Sequence, residues 1–149
     1  MVSAIKAFDP TDLYNQAIKK IENKGIRTTK QRRILAKILF DKGNRHVSAD
    51  ELYQDVKKED RKISMATVYN TLKQFTNLGI IREVVVDQNK SLYCTNRKNH
   101  YHLYIEDEGK IVDIPVQNID LNIPSIPACL QLHNIDVIVR IRTLKDKKN

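Results

Sequence analysis

Three of the four histidines in this chain of 149 residues stand where the sequence changes character. His46 comes just before a helical segment, and His100 and His102 form an H-x-H pair in a β-forming run. Residues two apart on a strand share a face, so the two imidazoles can converge on one ligand. Imidazole nitrogens bind zinc, manganese, iron or haem, and Asp113, on what reads as the neighbouring strand, would make a mixed nitrogen and oxygen donor set. The competing reading of these residues is an exposed pair that binds nothing. Cys94 is open in the same way, as a small core residue of a hairpin or as a soft ligand or sensor thiol. His133 and Cys129 carry no pattern that points to chemistry.

A second chemistry lies in the run SMATVYNTLKQFTN. On a wheel of 3.6 residues per turn, placing Val68, Leu72 and Phe75 inward points Ala66, Asn70, Lys73, Gln74 and Asn77 outward, with Thr67 and Tyr69 at the margins. Asn and Gln pair with adenine, Ala and Tyr can touch a thymine methyl, and Lys reaches guanine or phosphate, a combination that suits an A/T-rich major groove. An ordinary solvated helix face is the alternative. Thr29, Lys30, Gln31, Arg32 and Arg33 stand at another helix start, where backbone N–H groups and the helix dipole favour a phosphate. They would position a duplex rather than read its bases.

Four helices must hold these residues. Asp9 and Pro10 suit a helix start, and Leu13, Ala17, Ile18 and Ile21 form one apolar stripe ending at Gly25. Thr28 and Gln31 have capping-box spacing ahead of Ile34, Leu35, Ile38 and Leu39. Ser48 with Glu51 repeats that spacing before Leu52, Tyr53 and Val56. Ser64 caps the fourth helix, which runs through Met65 and Leu78 to Gly79. The period then changes, and IIREVVV and SLYCT flank the turn Asp87-Gln88-Asn89-Lys90. Helices followed by a hairpin with a lysine in its turn look like a winged helix-turn-helix, in which Ser64 and Lys90 would join the DNA-facing set. From Asn96 a second unit begins: HLYIE and KIVDI flank a turn, IDVIVRI follows later, and Pro124 and Pro127 make the stretch between them irregular or at most one short helical turn. So small a sheet buries too little surface alone, which predicts a homodimer. The expected architecture is α+β: a winged-helix DNA-binding domain over residues 1–95, then a small C-terminal α/β dimerisation and ligand-sensing domain over 96–149.

Composition narrows the function. Lysine and arginine number 26 against 18 acids, a formal charge of +8. Eighteen of the cations, against eleven acids, fall up to Thr95, so the excess that suits a polyanion belongs to the helical part. No stretch approaches the roughly 20 apolar residues of a membrane span, and MVSAIKAFDP lacks the apolar run of an export signal. Two cysteines with no C-x-x-C pair make neither a disulfide framework nor a structural zinc, which predicts a cytoplasmic protein without a membrane partner. A small metallo- or thiol enzyme is the remaining alternative, but no Gly-rich phosphate loop, nucleophile elbow or H-E-x-x-H supports it.

Together GIRTTKQRRIL, HVSADELY, ATVYNTLKQF and NHYHLYIEDEGKIVDIP resemble the ferric uptake regulator superfamily over almost the whole chain. More narrowly, ATVYNTLKQFTNLGIIRE, KNHYHLYIEDEGKIVDIP and IDVIVRIR resemble the iron response regulator branch, Irr, of alphaproteobacteria. The resemblance implies a dimeric DNA-binding transcription factor, usually a repressor, that answers to iron or haem; a member sensing iron, zinc or manganese without haem is the alternative. It places the family's regulatory metal site on His46, Cys94, His100, His102 and Asp113, with Cys94 where the family usually has Asp or Glu. The branch's H-x-H haem element falls on His100 and His102. Ile105 and Glu108 occupy the positions of the family's first C-x-x-C, so its four-cysteine structural zinc is not expected here, and the N-terminal Cys-Pro haem motif of some Irr proteins is missing too.

Overall fold

The computed structural model describes residues 10 to 145, so the proposed Asp9 cap and the last four residues of the basic tail lie outside the described residues. The chain divides into two compact units between Arg97 and Lys98.

In the first unit four helices precede a hairpin: α1 (Pro10–Asn23), α2 (Lys30–Phe40), α3 (Ala49–Glu59) and α4 (Met65–Asn77), then β2 (Arg82–Asp87) and β3 (Lys90–Cys94), with the short β1 (His46–Val47) ahead of α3. Each helix offers one apolar face, and those faces bury Ile21, Leu35, Leu39, Leu52, Val56, Val68, Leu72 and Phe75 in one core. Ser48 caps α3 with the full reciprocal box: its Oγ accepts from the Glu51 N–H at 3.2 Å, and the Glu51 carboxylate accepts from the Ser48 N–H at 2.8 Å. Ser48→Ala should therefore lower stability by about 0.5–2 kcal/mol in chemical denaturation, with the α3 amides losing protection from exchange first.

The start of α2 differs from the sequence expectation. Thr29, not Thr28, is the cap, accepting from the Arg32 N–H at 3.2 Å. The residue three beyond Thr29 is Arg32, which has no acceptor to return, so the reciprocal box cannot form. The Thr28 hydroxyl instead accepts from Arg33 Nη2 at 2.8 Å. At the far end of α4, Gly79 takes φ of 70°, and the Ile80 N–H donates to the Phe75 carbonyl at 2.9 Å, closing the helix and turning the chain into the hairpin. Strand order is β1-β3-β2, all antiparallel, and Val84 and Val86 face inward while Glu83, Val85 and Asp87 face out. This is the winged helix-turn-helix.

The second unit is a three-stranded sheet in the order β5-β4-β6, from β4 (His100–Ile105), β5 (Lys110–Pro115) and β6 (Ile138–Ile141). β4 is central, antiparallel to β5 and parallel to β6. Between β5 and β6 the described chain holds one 3-10 turn, Val116–Asn118, followed by irregular exposed backbone around Pro124 and Pro127. Mixed helix and strand content, with helices first and a small sheet second, is the α+β class.

Candidate metal centre and nucleic-acid interface

The central strand β4 carries His100 and His102 to the same face, and the β5 register sets Asp113 directly opposite His102. Both imidazoles are buried, at 6% and 4% exposure. Their Nε2 atoms lie 2.9 Å apart, and Asp113 Oδ1 is 3.4 Å from His100 Nε2 and 3.6 Å from His102 Nε2. The Lys98 carbonyl, which can only accept, lies 2.6 Å from His100 Nδ1, so that nitrogen is the donor and Nε2 is the one turned to the cluster. Two ring nitrogens this close are joined either by a hydrogen bond, one Nε2–H donating to the lone pair of the other ring, or by a metal ion that both coordinate.

In the first unit His46 and Cys94 are Cα partners across the β1–β3 pair, with Cys94 1% exposed. Thr95 anchors that corner: its Oγ1 accepts from the Arg45 N–H at 2.9 Å, and Arg45 Nη2 is 3.3 Å from Asp55 Oδ2. His133 and Cys129 are exposed in the irregular segment.

The nucleic-acid face is assembled from α2 and α4. Thr29, Gln31 and Arg32 line one side of a cavity of about 260 Å³, and Thr67 and Asn70 line the other. Of the remaining residues expected on this face, Ala66, Lys73 and Tyr69 are exposed on α4 outside the cavity, Tyr69 by 50%. Ser64 caps α4 by accepting from the Thr67 N–H at 3.2 Å, and Lys90 stands exposed at the wing turn, opposite Asp87. Gln74, expected outward, is partly buried and lines the cavity. Thr71 lines it too and was missed; its signal in the sequence was a hydroxyl within the apolar stripe of α4, three residues after Val68 and four before Phe75. No acid lies in the first turn of α2 or of α4. Behind the wing, burial first, then the Glu83 carboxylate and the Tyr69 phenol, push the Tyr93 phenol above its ordinary value and keep it neutral. Partial burial, and next the Arg97 guanidinium, lower the Lys20 ammonium on α1.

A winged helix-turn-helix followed by a small sheet bearing clustered imidazoles is the build of a ligand-responsive transcription regulator. The ferric uptake regulator family is matched over residues 23–141. The peroxide-responsive repressor PerR of Staphylococcus saprophyticus is 36% identical over 104 residues, 70% of either chain. A peroxide stress regulator of Campylobacter jejuni is 28% identical with a TM-score of 0.59, covering 89% of this chain and 97% of that one. A zinc-bound manganese uptake regulator is also 28% identical, with a TM-score of 0.60 over 86% and 98% of the two chains. The chain belongs to the ferric uptake regulator family. Members are metal-responsive transcription regulators that bind DNA as dimers and are not enzymes, which sets aside the metallo- or thiol-enzyme alternative. Among the described residues no helix is long and apolar enough to cross a membrane.

Proposed function

We propose that this protein is a cytoplasmic, sequence-specific repressor whose hold on an A/T-rich operator answers to a divalent ion, iron, manganese or zinc, and not to haem. The observation that carries the choice is the 2.9 Å between His100 Nε2 and His102 Nε2. Ligands about 2.0–2.1 Å from one ion lie about 3 Å from each other when they are neighbours in its shell. Two axial ligands of one haem iron stand on opposite sides of the ring, about 4 Å apart, so a pair this close could offer haem only one of its two nitrogens, whereas a single ion takes both. Asp113 supplies oxygen, and His46 and Cys94 are proposed to complete the set.

The iron response regulator branch with haem as effector is the second reading, supported by the absent C-x-x-C pairs and the H-x-H element. Titrating purified protein with manganese, zinc, ferrous iron and haem while following DNA binding separates the two. The expected result is tighter operator binding with a divalent ion and no dependence on haem, and a haem-driven change in DNA affinity would overturn the choice. Cobalt gives a direct reading of Cys94: a sulfur-to-cobalt charge-transfer band should appear in the wild type and vanish in Cys94→Ser, whereas a band-free wild type would remove the thiolate from the site.

DNA reading is proposed for the exposed side of α4, with Ala66, Thr67, Tyr69, Asn70 and Lys73 toward the bases, and Thr29, Gln31, Arg32, Ser64 and Lys90 toward the backbone. Dimerisation is proposed for the second unit. Among its described residues Leu121, Ile123, Ile126, Leu130 and Leu132 are 41% to 64% exposed, apolar area that a second copy would cover.

A further inference from the structure

The cavity between α2 and α4 contains a group that its own helices leave unused. Thr71 is only 6% exposed and lines the cavity, yet its hydroxyl makes no hydrogen bond among the described residues. Thr76, one turn further on, donates its hydroxyl to the Leu72 carbonyl at 2.8 Å. The residue is nearly buried but its hydroxyl opens onto the cavity, so it is free to donate to a group that enters from outside the fold.

What surrounds Thr71 defines that partner. The α2 N-terminus opens onto the cavity. Thr29 satisfies the Arg32 N–H, and the N–H groups of Lys30 and Gln31 have no acceptor among the described residues. Arg32 adds the one charged side chain of the lining, with its guanidinium held by a hydrogen bond to the Arg27 carbonyl. Gln74 adds an amide from the facing helix. Every element of the wall can donate, and no acid repels an anion. At about 260 Å³ the cavity is smaller than the ~300–1,000 Å³ of small-molecule sites, and the α4 residue Asn70 on its rim also belongs to the base-reading face.

We infer that this cavity is a phosphate seat, occupied by a single backbone phosphodiester of the bound duplex, and that the Thr71 hydroxyl donates to it from beneath while the α2 N-terminus and Arg32 hold it from the side. The inference rests on the DNA-binding reading. It makes Thr71 a positioning residue: one phosphate clamped between the two helices fixes how far α4 turns and slides in the groove before any base is read.

The test uses the full-length protein with its preferred metal and a duplex selected from a random pool. Thr71→Val should weaken binding roughly 3- to 10-fold on every duplex, specific or not, because a neutral donor to a phosphate is lost. Its salt dependence should stay that of the wild type, whereas Arg32→Ala should reduce the salt slope by about one phosphate contact. Thr71→Ser keeps the hydroxyl and should restore affinity, which separates the effect from a packing defect; a Ser variant as weak as the Val variant would assign the loss to packing and overturn the seat. Replacing phosphates one at a time by uncharged methylphosphonate should reveal one position per half-site at which the wild type loses affinity and Thr71→Val loses no more. Equal affinity of Thr71→Val and wild type, or a loss confined to particular bases, would overturn the inference. Inorganic phosphate should displace the duplex no better than chloride at equal ionic strength. Specific displacement by phosphate that Thr71→Val abolishes would make this a free-anion site and overturn the duplex as its source. A wild-type protein that binds no duplex would overturn the regulator reading itself, and this inference with it.

Discussion

A protein in which His100 and His102 are both replaced by Ala is expected to lose its tight divalent-ion site and, with it, every dependence of DNA affinity on metal. The two imidazoles are the closest donors in the cluster, 2.9 Å apart and each facing Asp113. Removing both takes away two of the proposed donors, and with them most of the imidazole nitrogen that favours transition metals over calcium or magnesium. An effector acts only through its differential affinity for two states, and coupling in regulated proteins is commonly 1–3 kcal/mol, a factor of about 5–150. That whole factor should collapse to none in the double variant, while the first unit, which contributes neither histidine, keeps its circular dichroism and its basal grip on nonspecific duplex. Linkage supplies a second readout. In the wild type the operator must raise ion affinity by the same factor by which the ion raises operator affinity, and calorimetry of ion binding with and without duplex measures it. A double variant that still binds one ion per chain and still tightens on DNA with metal would remove His100 and His102 from the sensor.

The second large effect lies under the reading helix. Phe75 is 0% exposed among the largest buried side chains, and its carbonyl closes α4 onto Ile80. Phe75→Ala removes a buried ring and leaves a cavity that a packed core fills only partly, a change that costs about 3–5 kcal/mol. Domains have only about 5–15 kcal/mol to lose, so the first unit should unfold at markedly lower denaturant, with α4 frayed at its C-terminal end. Urea titration of the Phe75→Ala protein followed by helical circular dichroism checks it. A midpoint shift worth less than about 1.5 kcal/mol would mean that Phe75 packs less tightly than its burial indicates.

Much of the first unit was legible because its signals are local. The Ser48–Glu51 box, the Ser64 cap, Gly79 and the spacing of Val68, Leu72 and Phe75 act within a few residues of themselves, and the structure places them as read. Thr28 misled because its spacing to Gln31 mimics a capping box, while the chain caps one residue later through Thr29. β1 was not legible at all: a strand of two residues has no periodicity, and only its pairing with β3 creates it and sets His46 opposite Cys94. Thr71 was overlooked for a related reason, since a threonine within an apolar stripe reads as core filler until the opposing helix shows a cavity beside it. In the second unit the H-x-H pair and the turn between β4 and β5 were plain, and the distance between the two Nε2 atoms, which weighs an ion against haem, depends on side-chain torsions that no spacing rule fixes.

The sheet order of the second unit carries a consequence for how the sensor comes into being during synthesis. The histidine strand is flanked on one side by β5, its hairpin neighbour, and on the other by β6, where the carbonyls of Val137, just ahead of the strand, and of Ile141 accept from the His102 and Glu106 N–H groups at 3.1 and 2.9 Å. Pairing across so long a loop must meet its closure entropy before any contact rewards it, so it is the late event in folding this sheet. A nascent chain on the ribosome can therefore fold its helices and wing first, yet it carries His100 and His102 on an open-edged hairpin until Ile141 has left the exit tunnel. In a cell the DNA-facing surface of the first unit should take shape before the sheet that holds the ion-binding pair, and for that interval each new molecule carries its output surface with its input not yet connected.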